Sequence, residues 1–415
     1  MVQVTRLYSL RTFGICAGLA GCGALAGCTG PTSAPLPARS VSSSESKGAD
    51  VPNPDFAETT QSPQVPADAS ADPDARSLAA ACGESDSALL GVAAHLTEQQ
   101  TEAELALDVD AISYQLRAAG APYVWPRAWL FTGSEGELEA ARARMQRWLA
   151  GFSDGGVRRC GVSLVHQAGA RITVGAIAVD ALADLRALPT RVRVGQWLEL
   201  QAMLRVPASE AKLVIMGPHG APHPVPTSLD GNTVRARFNA DQPGAWLVQL
   251  LGAVDGGPRP LLEALVFAGS EPPRTPGVLE APGEREAEAT TDPRAALLTM
   301  VNAARRSERL APLARDGQLE ALAQAHAEAM RRARKTAHDA GDGDLNQRLE
   351  QQGLQLEAGE NVAHAGNAAL AERALWASPS HRENLLFARF DSVGIGVAHD
   401  PDGTLWVCQV FARSR

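Results

Sequence analysis

The chain has 415 residues, of which 45% are hydrophobic and 20% charged, and its formal net charge is −9. That length is too great for one hydrophobic core, so two or three folded units are expected in an otherwise ordinary globular protein. There is no basic cluster of the size a nucleic-acid surface needs, and the acidic excess argues against that partner.

The first 28 residues read as a targeting segment. Arg6 and Arg11 give it a positive start, and the apolar run "TFGICAGLAGCGALAG" (residues 12–27) ends at Cys28. The tetrapeptide Leu25 to Cys28 resembles a bacterial lipobox, whose cysteine is lipidated after cleavage. Leu19 to Cys22 is a second match; Cys28 leaves the longer apolar stretch and is preferred. The expected location is therefore the cell envelope. The protein would be exported and lipid-anchored to a membrane, with Thr29 after the cysteine favouring the outer membrane or periplasmic face. The alternatives are an ordinary secretory signal or a short membrane anchor. Beyond the leader no apolar run is long enough to span a bilayer.

Residues 29–79 are rich in Pro, Ser, Ala and Asp and read as a disordered tether. A second linker, residues 270–292, is equally poor in core residues. Between them, residues 80–186 carry helix-like and strand-like runs. Residues 187–269 carry five short apolar runs separated by Gly/Pro turns, among them "QWLELQAMLRV" and "TVRARFNA". That spacing predicts an all-β sandwich. His219 and His223 fall in one of its turns and read as solvated. Cys82 and Cys160 lie in one unit of an exported chain and are expected to pair as a disulfide bond. Cys408 sits in the apolar run "LWVCQVF" and reads as a buried free thiol.

Residues 293–415 mix both periods. Asp292-Pro293 and Asp316 mark two helix starts, and Leu319, Leu322, His326 and Met330 share one face of the second helix. A third helix follows in "LAERALWAS", and two strands are joined by a turn at Asp400 to Gly403. Three residues then stand out at element boundaries: His338 in "KTAHDAGDG", Glu360 in "EAGEN" and His381 in "SPSHREN". Two imidazoles and a carboxylate could hold a divalent metal such as zinc, or act as acid and base. For any one histidine a structural hydrogen bond is the alternative.

The stretches "VNAARRSERLAPLARDGQLEALAQAHAEAM", "NQRLEQQG", "AGENVA", "ALWASPSHRENLL" and "SVGIGVAHDPDGTLWVCQVF" resemble the CAP superfamily (cysteine-rich secretory proteins, antigen 5 and pathogenesis-related proteins; SCP-like), in a bacterial lipoprotein form. They occur in that family's order and cover nearly all of residues 297 to 412. The resemblance implies an α+β fold, an α-β-α sandwich around a mainly antiparallel sheet. It also implies a cleft holding two histidines and two acids. His338, Glu360 and His381 match three of the four, with Glu360 pointing into the cleft between the histidines. The second acid, expected about one turn after Trp376, is missing at Ala377, Ser378 and Pro379. Trp376 and His326 read as core, and His364 and His399 have no supporting context.

Segments of residues 82–182 can be laid beside the final domain in the same order, "SDSALLGVAAHLTEQQ" against "DGQLEALAQAHAEAM" and "RRCGVSLVHQAGARITVGAIAV" against "DSVGIGVAHDPDGTLWVCQV". Residues 80–186 thus read as a degenerate CAP-like copy, with His338 falling near Leu105 and Glu360 near Arg127; a generic helix-and-strand domain is the alternative. The expected function is a non-catalytic binding module for a lipid, peptide or envelope ligand. The alternative is a hydrolase of peptide or cell-wall material, with Ser378 or Ser380 beside His381 as a conceivable nucleophile pair.

Overall fold

Asp72 opens the first folded unit: its carboxylate accepts from the N–H groups of Asp74 and Ala75, and Pro73 takes the first turn of helix α1 (Pro73–Cys82). This geometry comes from a computed structural model that describes residues 4–5, 56–63, 72–99, 109–152, 155–254, 257–273 and 280–413. Cys28 and Leu105 lie outside the described residues. After α1 come β1 (Glu84–Ser85), α2 (Ser87–Gln99), α3 (Val109–Ala118), β2 (Arg127–Ser134), α4 (Leu138–Leu149), β3 (Val157–Gln167) and β4 (Arg171–Ala181). The sheet order is β1-β3-β4-β2, with β1 parallel to β3 and the other pairs antiparallel. A disulfide joins Cys82 at the end of α1 to Cys160 in β3, with Cα atoms 5.9 Å apart.

The chain then builds two facing sheets. One contains Ala183–Leu185, Trp197–Leu204, Thr227–Asp230 and Thr233–Asn239. The other contains Arg191–Val192, Glu210–Met216, His223–Val225, Gly244–Val254 and Gly257–Ala268. Alternation sets the faces. Leu198, Leu200, Ala202 and Leu204 turn inward onto Leu213, Val248 and Leu250, while Trp197, Glu199 and Met203 turn outward. His219 and His223 are both exposed.

The C-terminal unit comprises α5 (Pro293–Ser307), β5 (Ala314–Arg315), α6 (Gly317–Ala333), α7 (Leu345–Gln351), β6 (Glu357–Ala365), α8 (Ala368–Ala377), α9 (Pro379–Leu385), β7 (Ser392–His399) and β8 (Leu405–Arg413). Asp292 and Asp316 cap α5 and α6 as their sequence contexts require. The sheet order is β5-β7-β8-β6, again with one parallel pair, β5 with β7. Leu297, Val301, Leu375 and Phe411 form the core on one face, and Leu319, Met330, Val362 and Val410 the core on the other. The result is an α-β-α layering. The short strand Val4–Thr5 pairs antiparallel with the outer edge of β6, Val4 opposite Asn361 and Thr5 opposite Glu360. Among the described residues no helix is long and apolar enough to cross a membrane.

Two segments read as unstructured are partly built into the fold. In the 29–79 tether, Phe56 packs edge-on against Tyr114 and Phe267, Thr59–Thr60 pairs with Leu188–Pro189, and α1 begins at Pro73. In the 270–292 linker, Ala281 is buried and the Glu284 carboxylate binds the Arg373 guanidinium, Nε to Oε2 at 2.8 Å. Composition averages over such segments, and one aromatic anchor or one partly buried ion pair is enough to order a few residues.

Candidate functional site

Glu360 and Asn361 are consecutive in β6, so their side chains leave opposite faces of the sheet. This one fact divides the expected cleft into two polar networks.

On the α6/α7 face, Glu360 is fully buried. Arg348 of α7 donates from Nη2 to Glu360 Oε2 at 2.6 Å and to the His338 carbonyl at 3.2 Å. His338 Nδ1 lies 2.8 Å from Glu360 Oε1. His326 of α6 stands behind, its Nε2 3.9 Å from Glu360 Oε1 and 2.9 Å from the Ala337 carbonyl, its Nδ1 2.8 Å from Asp342 Oδ2. Cys408, a buried free thiol, donates from Sγ to Glu360 Oε2 at 3.4 Å. Burial alone would raise the Glu360 carboxyl. The His338 hydrogen bond and the charges of Arg348, His326 and His338 outweigh it and bring the group down to about 2. Burial, reinforced by the neighbouring Glu360 charge, holds the Cys408 thiol well above its ordinary value.

On the α8/α9 face, Asn361 Nδ2 donates to the His381 carbonyl and to Gln409 Oε1, both at 3.2 Å. Asn384 Nδ2 donates to Asn361 Oδ1 at 2.9 Å and to the Glu360 carbonyl at 3.1 Å. Gln409 Nε2 donates to Glu372 Oε2 at 2.7 Å. Glu372 is buried, and burial pushes its carboxyl up to about 8 against the pull of the Gln409 hydrogen bond. Gly359 is needed where α9 crosses: a Cβ there would come within 2.7 Å of Asn384 Oδ1.

His338 and Glu360 therefore meet, while His381 joins from the other side of the sheet, through its main-chain carbonyl. His338, Glu360 and His381 are 9%, 0% and 1% exposed, so in the full chain they are packed under the edge of β6 rather than lining an open cleft. The donor set does not fit zinc or another divalent metal. Glu360 meets a guanidinium where a cation would sit. Among the described residues no group of three or more His, Cys, Asp or Glu side chains could hold a metal ion. Among the described residues the buried Nε2 of His338 has no hydrogen-bond partner.

Helix α8 carries one buried acid that sequence reasoning overlooked, Glu372, on the face of the sheet opposite Glu360. Glu372 lies one turn before Trp376, not after it. It falls on the buried stripe of α8 with Ala371, Leu375 and Trp376, a periodicity readable from "LAERALWA". Arg348 was likewise legible as the residue of α7 turned inward beside Leu345 and Leu349. His326 packs as expected but also braces the loop carrying His338. Trp376 is core, with the Arg382 guanidinium 3.8 Å above its ring.

Residues 298–410 match the family model of CAP, the cysteine-rich secretory protein family. The C-terminal unit is a CAP domain, and its layers and strand order are those described above. Among solved structures, an outer surface protein from Borrelia burgdorferi is 21% identical, covering 30% of this chain and 96% of its own, with a TM-score of 0.29. An extracellular SCP-domain protein from Bacillus anthracis is 17% identical, covering 56% and 86%, with a TM-score of 0.26. A cysteine-rich secretory protein from Staphylococcus aureus is 13% identical, covering 57% and 81%, also at 0.26. No curated protein matches.

Proposed function

We propose that the chain is an exported lipoprotein, anchored to the envelope through Cys28, whose CAP domain is a non-catalytic binding module. The observation that carries this reading is the state of Glu360. A carboxylate buried against the Arg348 guanidinium and the His338 ring, which hold it well below its ordinary range, is a poor base near neutrality. It serves as a fixed counter-charge that orients His338 and leaves Nε2 of that ring for a ligand. The Cys82–Cys160 disulfide suits an oxidising compartment. Cleavage before Cys28 would also remove Val4–Thr5 and free the edge of β6 at Glu360 and Asn361.

Hydrolysis is the competing reading. Ser378 Oγ lies 3.5 Å from Ser380 Oγ, and both serines closely precede His381 in sequence. Esterase and peptidase profiling of the processed protein separates the two. No turnover above background is expected; turnover that His381→Ala abolishes would establish the hydrolase instead. Palmitate labelling of wild type and Cys28→Ser tests the anchor, with label lost in the variant; label retained in it would move attachment to Cys22.

A further inference from the structure

The β-sandwich carries a feature that the CAP site does not explain. Of the seven tryptophans, Trp246, Trp376 and Trp406 are buried and Trp125, Trp129 and Trp148 are partly covered, whereas Trp197 is 62% exposed. An indole left in water forgoes a large burial gain, and Trp is enriched at interfaces, where its apolar ring and polar N–H both find partners.

The groups around it are ordered by strand register. Trp197, Glu199, Gln201 and Met203 alternate outward along one strand, and the adjacent strand sets Arg237 opposite Glu199 and Arg235 opposite Gln201. The Arg237 guanidinium carbon is 5.7 Å from the Trp197 ring centroid. Gln201 is fixed between two partners, donating to Glu199 Oε1 at 2.6 Å and accepting from Arg186 Nη1 at 2.9 Å. Among the described residues neither Arg235 nor Arg237 forms an ion pair. In a chain whose net charge is −9, this face sets three guanidiniums against Glu199, with Asp230 at its far corner.

We propose that this face binds a carboxylated polysaccharide. The C–H face of a sugar ring packs on the Trp197 indole, the Gln201 amide meets hydroxyls as both donor and acceptor, and sugar carboxylates meet Arg235 and Arg237. Charge complementarity selects an acidic ligand. The flat setting selects a glycan over a lipid surface: Trp197 lies on a pleated sheet beside Glu199 and Arg237, and Glu199 would face anionic headgroups. This surface is independent of the CAP site.

Affinity electrophoresis of the full chain tests it, with polygalacturonate as probe and neutral dextran and phosphatidylglycerol vesicles as controls. Wild type is retarded by polygalacturonate and not by dextran. Trp197→Ala weakens binding by about ten-fold or more, as a central aromatic contact does. Arg235→Ala/Arg237→Ala weakens it comparably and flattens its salt dependence. These side chains point into solvent, so each variant keeps the wild-type unfolding midpoint. Absence of retardation, equal retardation of Trp197→Ala, or Trp197-dependent binding to the vesicles with none to polygalacturonate would overturn the proposal.

Discussion

The N-terminal unit and the CAP domain share one strand order and differ in what their cores hold. The sheets run β1-β3-β4-β2 and β5-β7-β8-β6, with the short first strand parallel in each. Asp72-Pro73 and Asp292-Pro293 open the first helices, and Asp86 and Asp316 cap the second. Asp86 N–H donates to the Cys160 carbonyl as Asp316 N–H donates to that of Val393. Gly161 and Gly394 let the second helix lie directly on the sheet; a Cβ would come within 2.0 Å of Leu89 and 2.1 Å of Leu319 main-chain carbon. Carried across the ladders from those glycines, Glu360 corresponds to Ala128. That is one residue from the Arg127 that sequence alignment gave. Counted back from the matching turn glycines Gly120 and Gly353, Arg348 corresponds to Gln115. After α4 the chain reaches β3 with no described helix matching α9. The same strand order thus forms in the N-terminal unit without that ion cluster.

The largest effect expected from breaking this contrast is at Glu360. Glu360→Ala leaves Arg348 buried and unpaired and should cost the CAP domain about 3–5 kcal/mol in denaturant unfolding. Glu360→Ala/Arg348→Gln, which installs the N-terminal pairing, should recover most of that loss. A double variant no better than the single one would mean the cluster is structurally indispensable. Reduction of Cys82–Cys160 acts on the other unit and should lower its stability by about 2–4 kcal/mol while the CAP transition stays in place. Gly161→Ala and Gly394→Ala should each lower the stability of their own unit by about 1–3 kcal/mol, since the added methyl meets helix backbone. A loss confined to one of the pair would argue against a shared plan.

In pH dependence the CAP domain should show two opposite slopes. Glu360 titrates at about 2 when folded against an ordinary 4.5, so its stabilisation is complete above 4.5 and is lost as pH falls toward 2. Glu372 is raised from 4.5 to about 8, so the folded state holds a proton the unfolded state has released. Stability then declines as pH rises from 4.5 to 8. Thermal melts of Glu372→Gln should lose that decline and keep the acid limb. An unchanged slope would place the titrating group elsewhere.

Local signals fixed much of this protein in advance. Asp-Pro and Asp-Gly starts set the helices, alternation from Trp197 to Leu204 set the sandwich face, and cysteines in one unit set the disulfide. The family motifs named the CAP fold and placed His338 beside Glu360. Tertiary structure decided what those signals leave open. Whether His381 shares a pocket with Glu360 depends on which side of the sheet α9 occupies. Strand parity shows that Glu360 and Asn361 diverge but not which helix each will meet. Glu372 and Arg348 were visible as inward-facing positions, yet their charge states come from partners distant in sequence and from burial that only the assembled layers create.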